Sequence, residues 1–161
     1  MPINTDTFKQ AMSKFATGVT VVTTLYQDTP VGITVSAFSS LSLDPPLVMI
    51  NLGKHLFTHK VIAGSGVFAV NILGAHQKEM GLRFAGMLPG VEDRFAGIAV
   101  DTAVTNCPIL SDALAWVDCR VWEMYDGGDH TIFTGEVIDL RLSGKRHPLL
   151  YYDRAYHHLA E

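Results

Sequence analysis

A chain of 161 residues, 48% of them hydrophobic and 17% charged, fits one folded domain across residues 1–161, because this length buries a single core without dividing. A net charge of −4 provides no basic field for a phosphate backbone and argues against a nucleic-acid partner. The N-terminal MPINTDTFKQ lacks the charged start and apolar stretch of a secretory leader, and no apolar run reaches the roughly 20 residues that cross a bilayer, so a cytoplasmic protein with no membrane association is expected.

In chain order, the spacing predicts a helix over 5–16, capped by Thr5 or Asp6, stopped by Gly18 and carrying Phe8, Met12 and Phe15 on one face as a lid over something apolar. The period then changes to two. VTVVTTLY (19–26), a polar turn ending at Pro30 and VGITVSAFSS (31–40) predict paired strands. Asp44-Pro45-Pro46 ends that unit, and LVMINL (47–52) reads as a short buried strand closed by Gly53. A helix over 56–63, a strand over 67–73 and a helix over 76–84 follow, and 85–112 is broken by Gly86, Pro89, Gly90, Gly97 and Pro108. Two long strands, 114–125 and 130–142, flank Asp126-Gly127-Gly128-Asp129, a strong hairpin signal. No repeat, linker or low-complexity segment is evident. Many strands, few helices and no regular strand–helix alternation make a mainly β barrel the expected fold and disfavour a parallel doubly wound one.

Alternation over 32–48 sets Thr34, Ser36, Phe38 and Ser40 on one strand face. Hydroxyls, free amides and one aromatic ring are the usual lining for a planar heterocycle, although Thr and Ser also occupy the solvated face of any antiparallel strand. His55 and His59 stand four apart, but HLFTH lacks the glutamate of the zinc-protease pattern, and no metal site is expected. Cys107 and Cys119 are too few for a disulfide framework and lack redox spacing, so both read as buried thiols. Trp116, Trp122, Phe133 and Tyr125 read as barrel core or subunit interface.

The stretch GITVSAFSSLSLDPPLV (32–48), preceded by FATGVTVVTT (15–24), resembles the signature of the flavin reductase family. The similarity continues through FAVNIL with Gln77, RFAG (83–86), DRFAG (93–97), Gly128-Asp129-His130 and PLLYYDRAY (148–156), so it covers nearly the whole chain in order. The resemblance implies a six-stranded split barrel of Greek-key type with a few flanking helices, a homodimer, and hydride transfer to FAD or FMN. NADH or NADPH would be the donor, NADH being the family's habit, and reduced flavin would pass to a separate flavin-dependent oxygenase.

By the same resemblance, Thr34, Ser36, Ala37, Phe38 and Ser40 line the flavin, and Asn51 and Gly53 approach from the next strand. Thr58 meets the phosphate, which a helix opening there would favour independently, since its first amides lack partners and carry partial positive charge. Leu56 stands where the family often has a small hydroxyl residue. Arg83, just before Phe84, is the other phosphate candidate, His130 is placed beside the nicotinamide, and Tyr152 flanks its groove. A split barrel that holds flavin or another planar ligand without turnover is the alternative reading.

Overall fold

The computed structural model describes residues 1–160. Helix α1 (Thr5–Ser13) is capped by Asn4, whose side chain accepts the Thr7 amide at 3.0 Å, and it stops short of the expected end. Gly18, expected as its stop, belongs instead to strand β1 (Thr17–Gly18). The predicted lid is not one within this chain: α1 buries no residue, and Phe8, Met12 and Phe15 remain 55%, 54% and 77% exposed.

Strands β2 (Thr20–Tyr26) and β3 (Thr29–Val35) form a hairpin across Gln27 and Asp28, both at positive φ, as a primed two-residue turn requires. Pro30 therefore lies inside β3, which tolerates it because β3 is a sheet edge. Strands β4 (Phe38–Leu43) and β5 (Pro46–Gly53) pair next, followed by α2 (Phe57–Ser65), β6 (Val67–Ile72), a 3-10 turn at Ala75–Gln77 and α3 (Lys78–Phe84). The irregular stretch holds one small ladder, β7 (Val100–Thr102) with β8 (Pro108–Leu110). The long strands β9 (Ala115–Gly127) and β10 (His130–Leu142) turn at Gly128–Asp129. A C-terminal hairpin, β11 (Leu150–Tyr152) and β12 (Ala155–His157), joins β1 in a second sheet and was not anticipated as strand.

The main sheet runs β3-β2-β6-β9-β10-β5-β4, entirely antiparallel. Its two edges, β3 and β4, are consecutive in the chain and joined only by Ser36 and Ala37. A link of two residues spans roughly 10 Å at most, so the sheet curls until its edges meet. This makes the split barrel, and it explains why seven strands appear where six were expected: residues 31–40, read as one strand, are two, parted at the corner.

Val22, Val35, Ile50, Leu52, Phe68, Val70 and Phe133 fill the barrel, while Val19, Val21, Leu73 and Phe84 form a second core beneath α3. Strand β2 is buried on both faces, and its threonines satisfy themselves on backbone carbonyls, Thr20 on Val35 at 2.7 Å and Thr24 on Val67 at 2.9 Å. Among the described residues, no helix is long and apolar enough to cross a membrane.

Candidate functional site

The corner between β3 and β4, at Ser36 and Ala37, is open to solvent. Phe38 N–H donates to the Ser36 carbonyl at 2.9 Å and Asn51 N–H to the Ala37 carbonyl at 3.1 Å, so the turn is tight and fastened to β5. It also breaks the alternation expected of residues 34 to 40. The Thr34 hydroxyl donates to the Gly81 carbonyl at 2.7 Å and ties β3 to α3, Phe38 packs half-buried against the barrel core, and Ser36, Ala37 and Ser40 are left partly or fully open to solvent. The segment is accessible rather than closed into the core.

Asn51 and Gly53 lie on β5 beside this corner. The Asn51 side-chain oxygen is buried without a hydrogen-bond donor. An orphaned acceptor costs about 1–3 kcal/mol, which a ligand N–H or O–H relieves. Beyond Gly53 the chain enters α2 through Leu56, which has no side chain to cap the opening amides, and Thr58 sits buried in the first turn. A cavity of about 370 Å³ lies between this helix start, β3 and residues 92–95, with Thr58, Gly32 and Arg94 in its wall. Helix amides, a hydroxyl and a guanidinium in one cavity suit an anion such as a phosphate.

His130 opens β10 directly opposite Gly53. Its Nδ1–H donates to Asp129 at 2.7 Å, and this bond is the main reason the Asp129 carboxyl is held below the usual carboxylate range. The anionic partner fixes the ring, leaving Nε2 for a ligand. One residue further, Thr131 bonds His59 Nε2 at 2.8 Å, and His59 is pushed below its ordinary value, chiefly by burial and then by the Lys54 charge. The thiols supply no nucleophile here: burial pushes Cys107 up to about 11 and Cys119 higher still. Among the described residues, no three metal-ligating side chains converge.

The family described as flavin reductase like domain matches residues 12–160. The chain belongs to the flavin reductase family. The reductase subunit HsaB of a flavin-dependent monooxygenase from Mycobacterium tuberculosis is 40% identical over 152 residues, covering 93% of this chain and 80% of HsaB. Among solved structures, flavin reductase PheA2 superimposes with a TM-score of 0.91 at 38% identity, over 99% of this chain and 100% of its own. The NADH:FAD oxidoreductase SgcE6 of Streptomyces globisporus gives 0.92 at 34% identity, over 100% and 96% respectively.

In this flavin reductase two expected site residues, Phe84 and Arg83, take other places. Phe84 is wholly buried and meets Phe95 edge to face at 4.9 Å, so its ring is core and reaches no ligand. Arg83 commits Nε and one terminal nitrogen to the backbone carbonyls of Arg94, Asp93 and Ala96, at 2.6, 3.2 and 2.7 Å, and it lines a different cavity from Thr58. Tyr152 stands in the second sheet, edge to face with His157 at 5.9 Å, with the Lys14 ammonium over its ring.

Arg94, not among the expected site residues, carries a sequence signal of its own: RFAG occurs twice, at 83–86 and 94–97. The copies clasp each other: Arg83 holds carbonyls of the second, while Arg94 Nη1 holds the Phe84 carbonyl of the first at 2.8 Å and Gly32 at 3.1 Å. Only the second arginine ends in the Thr58 cavity.

Proposed function

We propose that this flavin reductase oxidises NADH, reduces FAD or FMN, and releases the reduced flavin to a separate oxygenase as the small component of a two-component monooxygenase. The observation that carries the reading is the solvent-open corner at Ser36 and Ala37 with the orphaned Asn51 acceptor on the neighbouring strand. The Thr58–Arg94 cavity, walled by β3 and by the start of the helix that follows β5, supplies a second place, suited to a phosphate. The names of HsaB and SgcE6 supply the same class of partner and the NADH donor for those proteins.

The hydride chemistry belongs to the bound cofactors once their rings face each other. The chain's own work is placement. The corner amides with Ser36 and Ser40 hold the flavin edge, Phe38 backs it, Thr34 braces the strand, and Asn51 accepts from a ring or ribityl donor. Thr58 and Arg94 hold the phosphate, and His130, aligned by Asp129, takes the carboxamide of the nicotinamide. Hydride transfer between two oriented rings asks the protein for placement and electrostatic support rather than for a general acid or base.

The chain acts as a homodimer in this reading, because the apolar side of α1, together with Trp122 and Tyr125 on β9, is more exposed than a lone soluble chain usually leaves such a set.

Purified protein given NADH and excess FAD or FMN is expected to lose absorbance at 340 nm at a rate set by the flavin. Absence of turnover with either nucleotide and either flavin overturns the reading. Replacing His130 with alanine is expected to raise the KM for NADH roughly tenfold, the loss of one good hydrogen bond, while the FMN dissociation constant stays within about twofold; equal losses in both titrations rule out a nicotinamide role.

A further inference from the structure

Two cavities meet at one side chain. The Thr58–Arg94 cavity and a second of about 460 Å³, between the β2–β3 turn and the outer side of α2, share Phe57 in their walls. The second is lined by Leu25, Tyr26, Gln27, Lys60 and Val61 besides Phe57. The Tyr26 and Phe57 rings meet edge to face, with centroids 5.4 Å apart at 75°, yet remain 46% and 55% exposed. Neither joins a hydrophobic core of the protein. A pair of rings held by each other, with free faces over a cavity, is a stacking platform for a planar base.

Charge favours the same occupant. Arg94 and Lys60 stand on either side of Phe57, and neither makes an ion pair among the described residues. Glu92 and Asp93 also line the first cavity, so an anion there sits toward Thr58 and Arg94; Asp93 accepts the Phe95 amide at 2.9 Å. A ligand whose phosphate lies at Thr58 and which continues into a second phosphate and a purine would pass over Phe57 between two cations onto the aromatic pair. FMN ends at its single phosphate and cannot reach that pair.

Building on the flavin reductase reading, we propose that Tyr26 and Phe57 form an adenine shelf, with Lys60 beside the pyrophosphate, and that this shelf makes the flavin site select FAD over FMN. Selectivity then arises from the AMP half of FAD, outside the reacting ring.

The test titrates FAD and FMN separately into wild type, Phe57→Ala, Phe57→Leu and Tyr26→Ala, following flavin fluorescence. Wild type is expected to bind FAD at least tenfold more tightly than FMN. Each alanine variant should lose roughly fivefold to a hundredfold in FAD affinity, matching about 1–3 kcal/mol per stacked base; Tyr26→Ala, outside the phosphate cavity, should change FMN little, and Phe57→Ala, whose ring also walls that cavity, should lose much more for FAD than for FMN. Phe57→Leu, which keeps apolar bulk and lacks the ring, should behave like Phe57→Ala.

Equal loss of both flavins, or loss of neither, overturns the shelf. So does a rise in the KM for NADH measured with FMN as acceptor, which would assign the rings to the nicotinamide nucleotide's own adenosine, or a change in oligomeric size, which would assign them to a second copy of the chain. The two readings fail separately. If wild type reduces neither flavin the reductase reading falls, whereas normal FMN reduction with no preference for FAD removes only the shelf.

Discussion

Gly135→Ala is expected to destabilise the barrel by about 3 kcal/mol, the upper part of the range for overpacking a dense core. A Cβ built on Gly135 would stand 2.4 and 2.8 Å from two ring atoms of Phe68 and 3.0 Å from the Cys119 Cβ. Phe68 cannot retreat, because it is fully buried among Val22, Ile50, Val70 and Phe133. The backbone cannot retreat either: Gly135 sits in β10 between Val48 of β5 and Val121 of β9, beside a register shift in the ladder to β9. At roughly 2–4 °C per kcal/mol for a domain of this size, the melting temperature should fall by about 6–12 °C. The double variant Gly135→Ala with Phe68→Leu should recover part of that loss, because both changes bear on the same space. A single variant melting within about 2 °C of wild type would show that the β9–β10 ladder yields more than its pairing suggests.

The barrel was legible in the sequence wherever the cause of structure is local. The β2–β3 and β9–β10 hairpins were visible from strand periodicity and turn residues, and α2 and the segment around α3 from their helical stops. What escaped has a tertiary cause. The alternation of Val31, Ile33, Val35 and Ala37 changes phase only at Phe38, a single aromatic that reads equally well as one apolar residue on the hydroxyl-bearing face, since the corner exists because the sheet must close. The stripe of Phe8, Met12 and Phe15 announced a buried face correctly in chemistry but not in partner, for helical periodicity states that a side is apolar and is silent about what covers it. C-terminal strands β11 and β12 were hidden in an aromatic run whose turn, at Asp153 and Arg154, carries positive φ without glycine. The candidate site came mostly through family resemblance: Asn51 lies beside the open corner, His130 faces Gly53 across the ladder and Thr58 walls a cavity, while Phe84 is core and Arg83 a clasp.

The exchange of roles between the two arginines yields the other large expected effect. Arg94→Leu should weaken FMN binding by roughly 10- to 100-fold, the loss of one charge-assisted contact to the phosphate, and should also lower stability, because the Gly32 and Phe84 carbonyls lose the nitrogen that bridges them. Arg94→Lys should keep part of the FMN affinity through its charge, yet it cannot reproduce the planar fork, so its melting temperature should stay low. Arg83→Leu strips the hydrogen bonds from three carbonyls of residues 93–96 and should be destabilising by a similar amount. Its effect on the phosphate should nevertheless be small, since Arg83 faces another cavity beside His76 and Asp112. Riboflavin separates the cases, as it has the ring system of FMN without the phosphate. Arg94→Leu should abolish the preference for FMN over riboflavin, whereas Arg83→Leu should weaken both ligands together, through the loosened 93–96 segment. Were the preference lost in the Arg83 variant and kept in the Arg94 variant, the phosphate would belong to the first RFAG segment, and the clasp between the two would have to open when flavin binds.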